Sequence, residues 1–114
     1  MIIKKEQITS MDFDGLSILD YTAGLKESSS FAVIKVPQKV RHKLSWSKRS
    51  DKYYYVVEGI IEFTIDGNST VLKSGDFCII KKGSKFNYYN ASENIVTLVL
   101  VHTPNFDLTK EVFE

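Results

Sequence analysis

Histidine, lysine and tyrosine supply most of the side chains in this sequence that could move a proton or hold a polar ligand. His42 and His102 are its two histidines. A neutral imidazole beside a tyrosine hydroxyl, such as that of Tyr54 or Tyr88, makes a workable acid–base pair near neutral pH and can shift a proton beside a carbonyl. For His102, followed by Thr103-Pro104 at the end of an apolar run, a structural or exposed role is favoured over catalysis. Lys48 and Lys52 pose a different question. An ammonium enclosed without a partner bears a large desolvation cost, so it meets an anion, loses its proton or reaches the rim. An anion would mean a carboxylate or phosphate ligand, and a lowered pKa would give a base or a Schiff-base amine. Because Lys48, Arg49, Asp51 and Lys52 are crowded together, a solvated loop is the favoured expectation for both lysines.

The remaining chemistry is thin. Cys78 lies between Phe77 and Ile79, where a thiol reads as packing rather than as a stabilised thiolate. Glu58 and Glu62 flank Gly59 without a spacing specific for glycoside chemistry, and a solvated turn is the simpler reading. Phosphate-cradling glycine patterns, Gly-x-Ser-x-Gly and paired Cys-x-x-Cys motifs do not occur. Lysine and arginine number 15 against 14 acidic residues, a net charge of +1, so no strong field gathers nucleic acid or anionic lipid. A single cysteine cannot form an internal disulfide, and no N-terminal export pattern is evident. The apolar run Ile95 to Val101, interrupted by Thr97, is far short of the roughly 20 residues that span a bilayer. These features predict a soluble cytoplasmic protein without nucleic-acid or membrane partners.

Positioning such residues falls to β-structure. Short runs rich in Ile, Val, Phe, Tyr and Thr alternate with Gly, Asn, Asp, Ser and Lys clusters, an all-β rhythm suited to a barrel or sandwich. Strands are predicted over 16–21, 31–36, 40–46, 53–58, 60–65, 69–72, 77–80, 85–89 and 95–102. Asp66-Gly67-Asn68 supplies residues that tolerate positive φ between two alternating runs, as a tight hairpin requires. Thr22 to Ser30 reads as a polar loop over one mouth of the barrel. Asp107 is placed to cap a short terminal helix through Phe113, since Leu108, Val112 and Phe113 fall at near-helical spacing. With 114 residues and neither a repeat nor a composition shift, residues 1–114 form one expected domain.

The stretch Asp51-Lys52-Tyr53-Tyr54-Tyr55-Val56-Val57-Glu58-Gly59, with Gly67, Gly75-Asp76, Gly83 and Asn90, resembles the two sequence motifs of the cupin superfamily. That resemblance implies a double-stranded β-helix, or jelly-roll barrel. In the family, histidines and a glutamate of the first motif and a histidine of the second hold a metal. Here the corresponding positions are Trp46, Lys48, Lys52 and Phe86. An ammonium, an indole or a phenyl ring offers a cation no usable lone pair, so the resemblance implies a lost metal site, and no cofactor is expected.

Alternation along the strands then predicts Trp46, Lys48, Lys52, Tyr54 and Val56, and later Phe86, Tyr88 and Asn90, facing the cavity, with His42 in the parity of Trp46. Filling of a small barrel is the favoured role of the rings, ahead of recognition. The function expected is a metal-independent cupin that binds a small polar organic ligand, a sugar or carboxylated metabolite, through Trp46, Lys48, Lys52, Tyr54, Phe86, Tyr88 and Asn90. One alternative is a metal-free sugar isomerase or epimerase using His42 or a lysine with Tyr54 or Tyr88 as catalytic acid and base. Another is a structural module. A homodimer is expected, paired through edge strands with Met1 to Ile8 contributing. A metal held instead by His42, His102 and a carboxylate or Cys78 is the least favoured reading.

Overall fold

A computed structural model describes residues 1–114. Two antiparallel sheets face each other. The first contains β1 (Met11–Phe13), β2 (Leu16–Asp20), β3 (Ser30–Val36), β5 (Asp51–Glu58), β8 (Phe77–Ile80) and β10 (Val96–Thr103), in the order β1-β2-β3-β10-β5-β8. The second contains β4 (Ser45–Ser47), β6 (Ile60–Ile65), β7 (Asn68–Lys73), β9 (Phe86–Tyr89) and β11 (Glu111–Phe113), ordered β11-β4-β9-β6-β7. Sequence neighbours cross between the sheets, which is the jelly-roll arrangement. No helix is long and apolar enough to cross a membrane.

Period-two alternation explains the core. Ala32, Ile34 and Val36 of β3, Tyr54 and Val56 of β5, and Val96, Leu98 and Leu100 of β10 are buried, and Ile61, Phe63, Phe86 and Tyr88 meet them from the second sheet. Buried aromatic rings meet at the centre, Phe63 and Tyr88 tilted with centroids 4.9 Å apart and Tyr54 and Phe63 edge-to-face at 5.1 Å. The hairpin read from Asp66-Gly67 is present: both residues have positive φ, 48° and 83°, and β6 pairs with β7 from Ile60↔Lys73 to Ile65↔Asn68. Gly59 turns the chain from β5 into β6 at φ +103°, and a Cβ there would lie 2.8 Å from Val96 Cγ2. Both the backbone conformation and the space therefore demand glycine.

Two expected elements differ. The run 40–46 is not one strand. Arg41 makes a single bridge to Tyr89, and regular pairing resumes only at Ser45. Nor does a helix reach Phe113. The Asp107 carboxylate accepts from Thr109 N at 3.0 Å and caps a 3-10 turn of Leu108–Lys110. The chain then extends, with Glu111, Val112 and Phe113 opposite Ser47, Trp46 and Ser45. Pairing with the exposed edge of β4 outweighs the weak helical spacing, and β-branched Val112 suits the strand.

Candidate functional site

Between the sheets lies a cavity of about 350 Å³. Its enclosed polar groups are His42, Lys52, Tyr54, Tyr88 and His102, each no more than 8 % exposed, and Asp12, Asp20 and Ser30 border it nearer to solvent. Leu16, Ile34 and Leu100 form apolar wall, and Met11, Phe106, Leu108 and Phe113 are its more exposed members, 36 to 62 % accessible. The site therefore has a polar, aromatic interior and a mouth where apolar side chains stand beside the carboxylates of Asp12 and Asp20.

Each polar group has an identifiable anchor. The backbone N–H of His42 donates to Tyr88 O at 2.8 Å, which fixes the ring beside Tyr88, 4.8 Å between centroids, and over Phe86, 5.2 Å away. His42 Nδ1 lies 2.6 Å from the Lys43 carbonyl. That acceptor holds the proton on Nδ1 and leaves the lone pair on Nε2. Lys52 and His102 face one another across β5 and β10. The Lys52 ammonium donates to His102 Nε2 at 2.8 Å and to Glu111 Oε1 at 2.5 Å. Since Nε2 accepts, the His102 proton resides on Nδ1. Lys52 and Glu111 form a buried ion pair, with side chains 6 and 4 % exposed. Two buried oxygens, Tyr88 Oη and Glu111 Oε2, make no hydrogen bond of normal length within the protein, although the Tyr54 hydroxyl is near enough to Tyr88 to interact with it.

Burial dominates the titration of these groups. It lowers His42 to about 4 and His102 to about 3, assisted in each case by the Lys52 charge. Lys52 is also pulled below the ordinary lysine value by burial, with Glu111 opposing the shift. Burial raises Tyr54 and Tyr88, so both hydroxyls keep their protons. Near neutrality the cavity thus offers neutral imidazole, phenol and a compensated ammonium.

The histidine shifts have a consequence for stability. In the unfolded chain both imidazoles take up protons near the ordinary value of about 6.5, whereas the native protein refuses them until about pH 4 and 3. The unfolded state binds more protons throughout that window, so stability falls as pH drops. The slope is expected to approach about 2.7 kcal/mol per pH unit, two sites at about 1.36 each. Urea unfolding at about pH 7 and about pH 5 checks this, and an unchanged midpoint would mean that the imidazoles are not held neutral.

Of the residues expected from sequence to face the cavity, Lys52, Tyr54 and Tyr88 line it with His42. Trp46 and Lys48 do not. Trp46 is half-buried and packs beneath the Lys85 ammonium at 4.8 Å, and Lys48 is exposed. The inward residues of β4 are instead Ser45 and Ser47, because the irregular segment after His42 shifts the alternation. Phe86 and Asn90 are buried but do not line the cavity. Phe86 supports His42, while Asn90 Nδ2 donates to Val36 O at 2.9 Å and Asn94 O at 2.7 Å, a structural clamp. The solvated loop holds for Lys48 alone, since Lys52 is enclosed. His102, expected to be structural or exposed, borders the cavity. Glu111 was not legible as a site residue, and its only sequence signal is an acid within a C-terminal apolar run.

Two facing antiparallel sheets with a polar-centred cavity between them define a small jelly-roll protein whose site lies inside the fold. Residues 32–102 match the family model for the cupin domain, and the chain belongs to the cupin family. No curated protein matches it. Among solved structures, Pac13 of Streptomyces, a nucleoside dehydratase, is similar with a TM-score of 0.88 at 18 % identity, covering 100 % of this chain and 90 % of that one. Pac13 variants carrying tyrosine-to-phenylalanine or histidine-to-glutamine substitutions have been solved with uridine. A predicted oxalate decarboxylase of Thermotoga maritima gives 0.81 at 18 % identity, covering 91 % of this chain and 99 % of that one. An RmlC-like cupin of Shewanella frigidimarina gives 0.77 at 20 % identity, with 90 and 88 % coverage.

The metal associated with this fold family does not fit the residues present. No three side chains among His, Cys, Asp and Glu are placed to hold an ion. The interior instead centres on the Lys52 ammonium, whose charge repels a cation, and His102 Nε2 is already occupied by that ammonium. The relocated set of His42, His102 and Cys78 does not converge either. Burial raises the Cys78 thiol to about 11, so it stays protonated.

Proposed function

We propose that the cavity takes a small polyhydroxylated organic molecule of the sugar or nucleoside class and acts on it by metal-independent acid–base chemistry. The observation that carries this reading is a pair of buried polar atoms without a hydrogen-bond partner: Tyr88 Oη, on a cavity residue beside neutral His42, and Glu111 Oε2, on the carboxylate that pairs with Lys52. Buried polar atoms of this kind are satisfied in the working protein. Glu111 already neutralises Lys52, which disfavours a carboxylate or phosphate. A hydroxyl suits the site better, because it can donate to a carboxylate and accept from an ammonium or phenol. The apolar side chains of the mouth, Met11, Phe106, Leu108 and Phe113, accommodate the less polar part of such a ligand. Pac13, a nucleoside dehydratase studied with uridine through histidine and tyrosine variants, is a parallel that supports the class. This chain brings the same residue types together as His42, Tyr54 and Tyr88.

On a carbonyl-bearing ligand, His42 Nε2 removes the proton from the adjacent carbon, and the C–H electron pair moves toward the carbonyl oxygen. The Tyr88 hydroxyl and the Lys52 ammonium are the donors available to that developing oxyanion. Return of the proton to carbon completes an isomerisation or epimerisation. Loss of a β-hydroxyl, protonated by His42 as it leaves, forms a double bond and releases water.

Saturation-transfer NMR with uridine, other nucleosides, free sugars, sugar phosphates and small organic acids tests the ligand class. Neutral ring polyols are expected to bind, and Tyr88→Phe to weaken them by roughly threefold to thirtyfold, the cost of about one buried hydrogen bond. Binding confined to acids and phosphates, or none at all, would reject the proposal.

A further inference from the structure

Asp20 ends β2, just before the loop that leads into β3. Cross-strand register carries it onto the inner face of the six-stranded sheet: Asp20 is the partner of Ala32, Ala32 of Leu100 and Leu100 of Tyr54. All four residues line the cavity. Strands about 4.8 Å apart put Asp20 about 14 Å from Tyr54 along the sheet, and less across its curve. Ala32 is the smallest of the row and leaves room between its two polar ends. Tyr54 meets Tyr88 at 5.6 Å between ring centroids, and Tyr88 meets His42. The cavity is therefore two-ended, with His42, Tyr54 and Tyr88 toward one end and Asp20 at the other.

One oxygen alone holds the Asp20 carboxylate in place. Oδ1 accepts from Thr22 N at 3.0 Å and from Thr22 Oγ1 at 3.2 Å, and Thr22 Oγ1 accepts from Phe31 N at 3.1 Å. These bonds fix the carboxylate while both fall on Oδ1, so Oδ2 is left to solvent and the cavity. A turn of this kind is made as well by asparagine as by aspartate, so the turn by itself gives no reason for a charge here. The charge balance of the wall is one-sided. Lys52 is the single cation lining the cavity, and Glu111 neutralises it. Asp20 takes part in no ion pair, and Asp12 adds a second carboxylate to the same border.

We propose that Asp20 determines specificity at the far end of the bound ligand, where Oδ2 accepts a hydrogen bond from an uncharged donor and turns away an anionic group. This rests on the polyol reading of the cavity and narrows it to ligands long enough to reach both ends. Two linked rings, as in a nucleoside, suit that span better than the single ring of a free sugar. With the reacting part of the ligand beside His42, the donor offered to Asp20 is an imide N–H of a base or a ribose hydroxyl. A carboxylate accepts from either, and such a charge-assisted bond is about twice as strong as a neutral one. A phosphate or carboxylate in the same place brings like charge against like charge and no proton to share.

Calorimetric titration of the full chain and of Asp20→Asn with uridine, 3-methyluridine, 2′,3′-dideoxyuridine and 5-carboxyuridine tests the proposal. Asparagine keeps the Oδ1 acceptor that Thr22 needs and replaces Oδ2 by a donor; circular dichroism checks the fold. The substitution is expected to weaken uridine by about fivefold to thirtyfold, the loss of one hydrogen bond to a half-exposed charge. The analogue without the donor, 3-methyluridine for the imide or 2′,3′-dideoxyuridine for the hydroxyls, is expected to bind the wild type correspondingly less well and to be indifferent to the substitution. 5-Carboxyuridine is expected to bind the wild type more weakly than uridine and to recover in the variant. Should the variant misfold, NMR of the wild type decides: uridine is expected to shift the Asp20 carboxyl carbon, and the analogue lacking the donor to leave it in place. Uridine affinity unchanged by Asp20→Asn, while Tyr88→Phe still weakens it, would overturn this inference and leave the reading of the site intact. A wild type that prefers 5-carboxyuridine to uridine would overturn it too. Failure of every neutral nucleoside to bind would remove both.

Discussion

Replacing His42 by glutamine is expected to slow proton exchange at the carbon beside the carbonyl of a bound aldose, ketose or oxidised nucleoside by about 10²–10⁴-fold, the usual contribution of a positioned general base. Glutamine retains much of the side-chain size and polarity but cannot accept a proton near neutrality. The backbone bond from His42 N to Tyr88 O does not depend on the side chain, so the dissociation constant is expected to change by no more than a few fold. The native imidazole titrates at about 4, and exchange by the wild type should therefore be level around neutrality, with an acidic limb near that value. Deuterium incorporation followed by NMR in D₂O gives both rate and pH profile. Undiminished exchange in H42Q, with fold intact, would remove His42 from the chemistry.

Replacing Glu111 by leucine is expected to cost about 3–5 kcal/mol of stability, because it leaves the Lys52 ammonium buried without its counter-charge. For a chain of this size that corresponds to a fall in Tm of more than about 10 °C. The physical basis is the enclosure of both partners, which makes breaking the pair far more damaging than breaking a surface salt bridge. Lys52→Met together with Glu111→Leu is expected to recover most of the loss, since no charge is then stranded, although His102 loses the ammonium that donates to its Nε2. Thermal and urea unfolding of both single variants and the double variant complete the cycle. A stable Glu111→Leu protein would show that Lys52 escapes to water or sheds its proton at little cost.

These expectations depend on two kinds of information in the chain. Alternation within a strand is local, and it made the inward placement of Tyr54, Phe86 and Tyr88 legible; it gave Lys52 the same parity, but the charges crowded around that lysine pointed to a solvated loop instead. The Asp66-Gly67 turn was likewise readable, because positive φ at adjacent residues is inexpensive for few residue types. Parity fails where a strand is interrupted. The irregular chain between Arg41 and Ser45 turned Trp46 and Lys48 outward, although their spacing from the motif glycine suggested an inward set.

Sequence by itself determined the all-β layout, the family resemblance and most inward positions of the long strands, since each follows from side chains only a few residues apart. Tertiary structure decided the charge state and chemistry of the cavity. Lys52 meets His102 across a separation of 50 residues and Glu111 across 59, contacts set by the register of β10 and β11 against distant strands. No local pattern encodes that register. The neutral imidazoles and the compensated ammonium arise only when packing removes water from these groups, because desolvation is a property of the assembled fold.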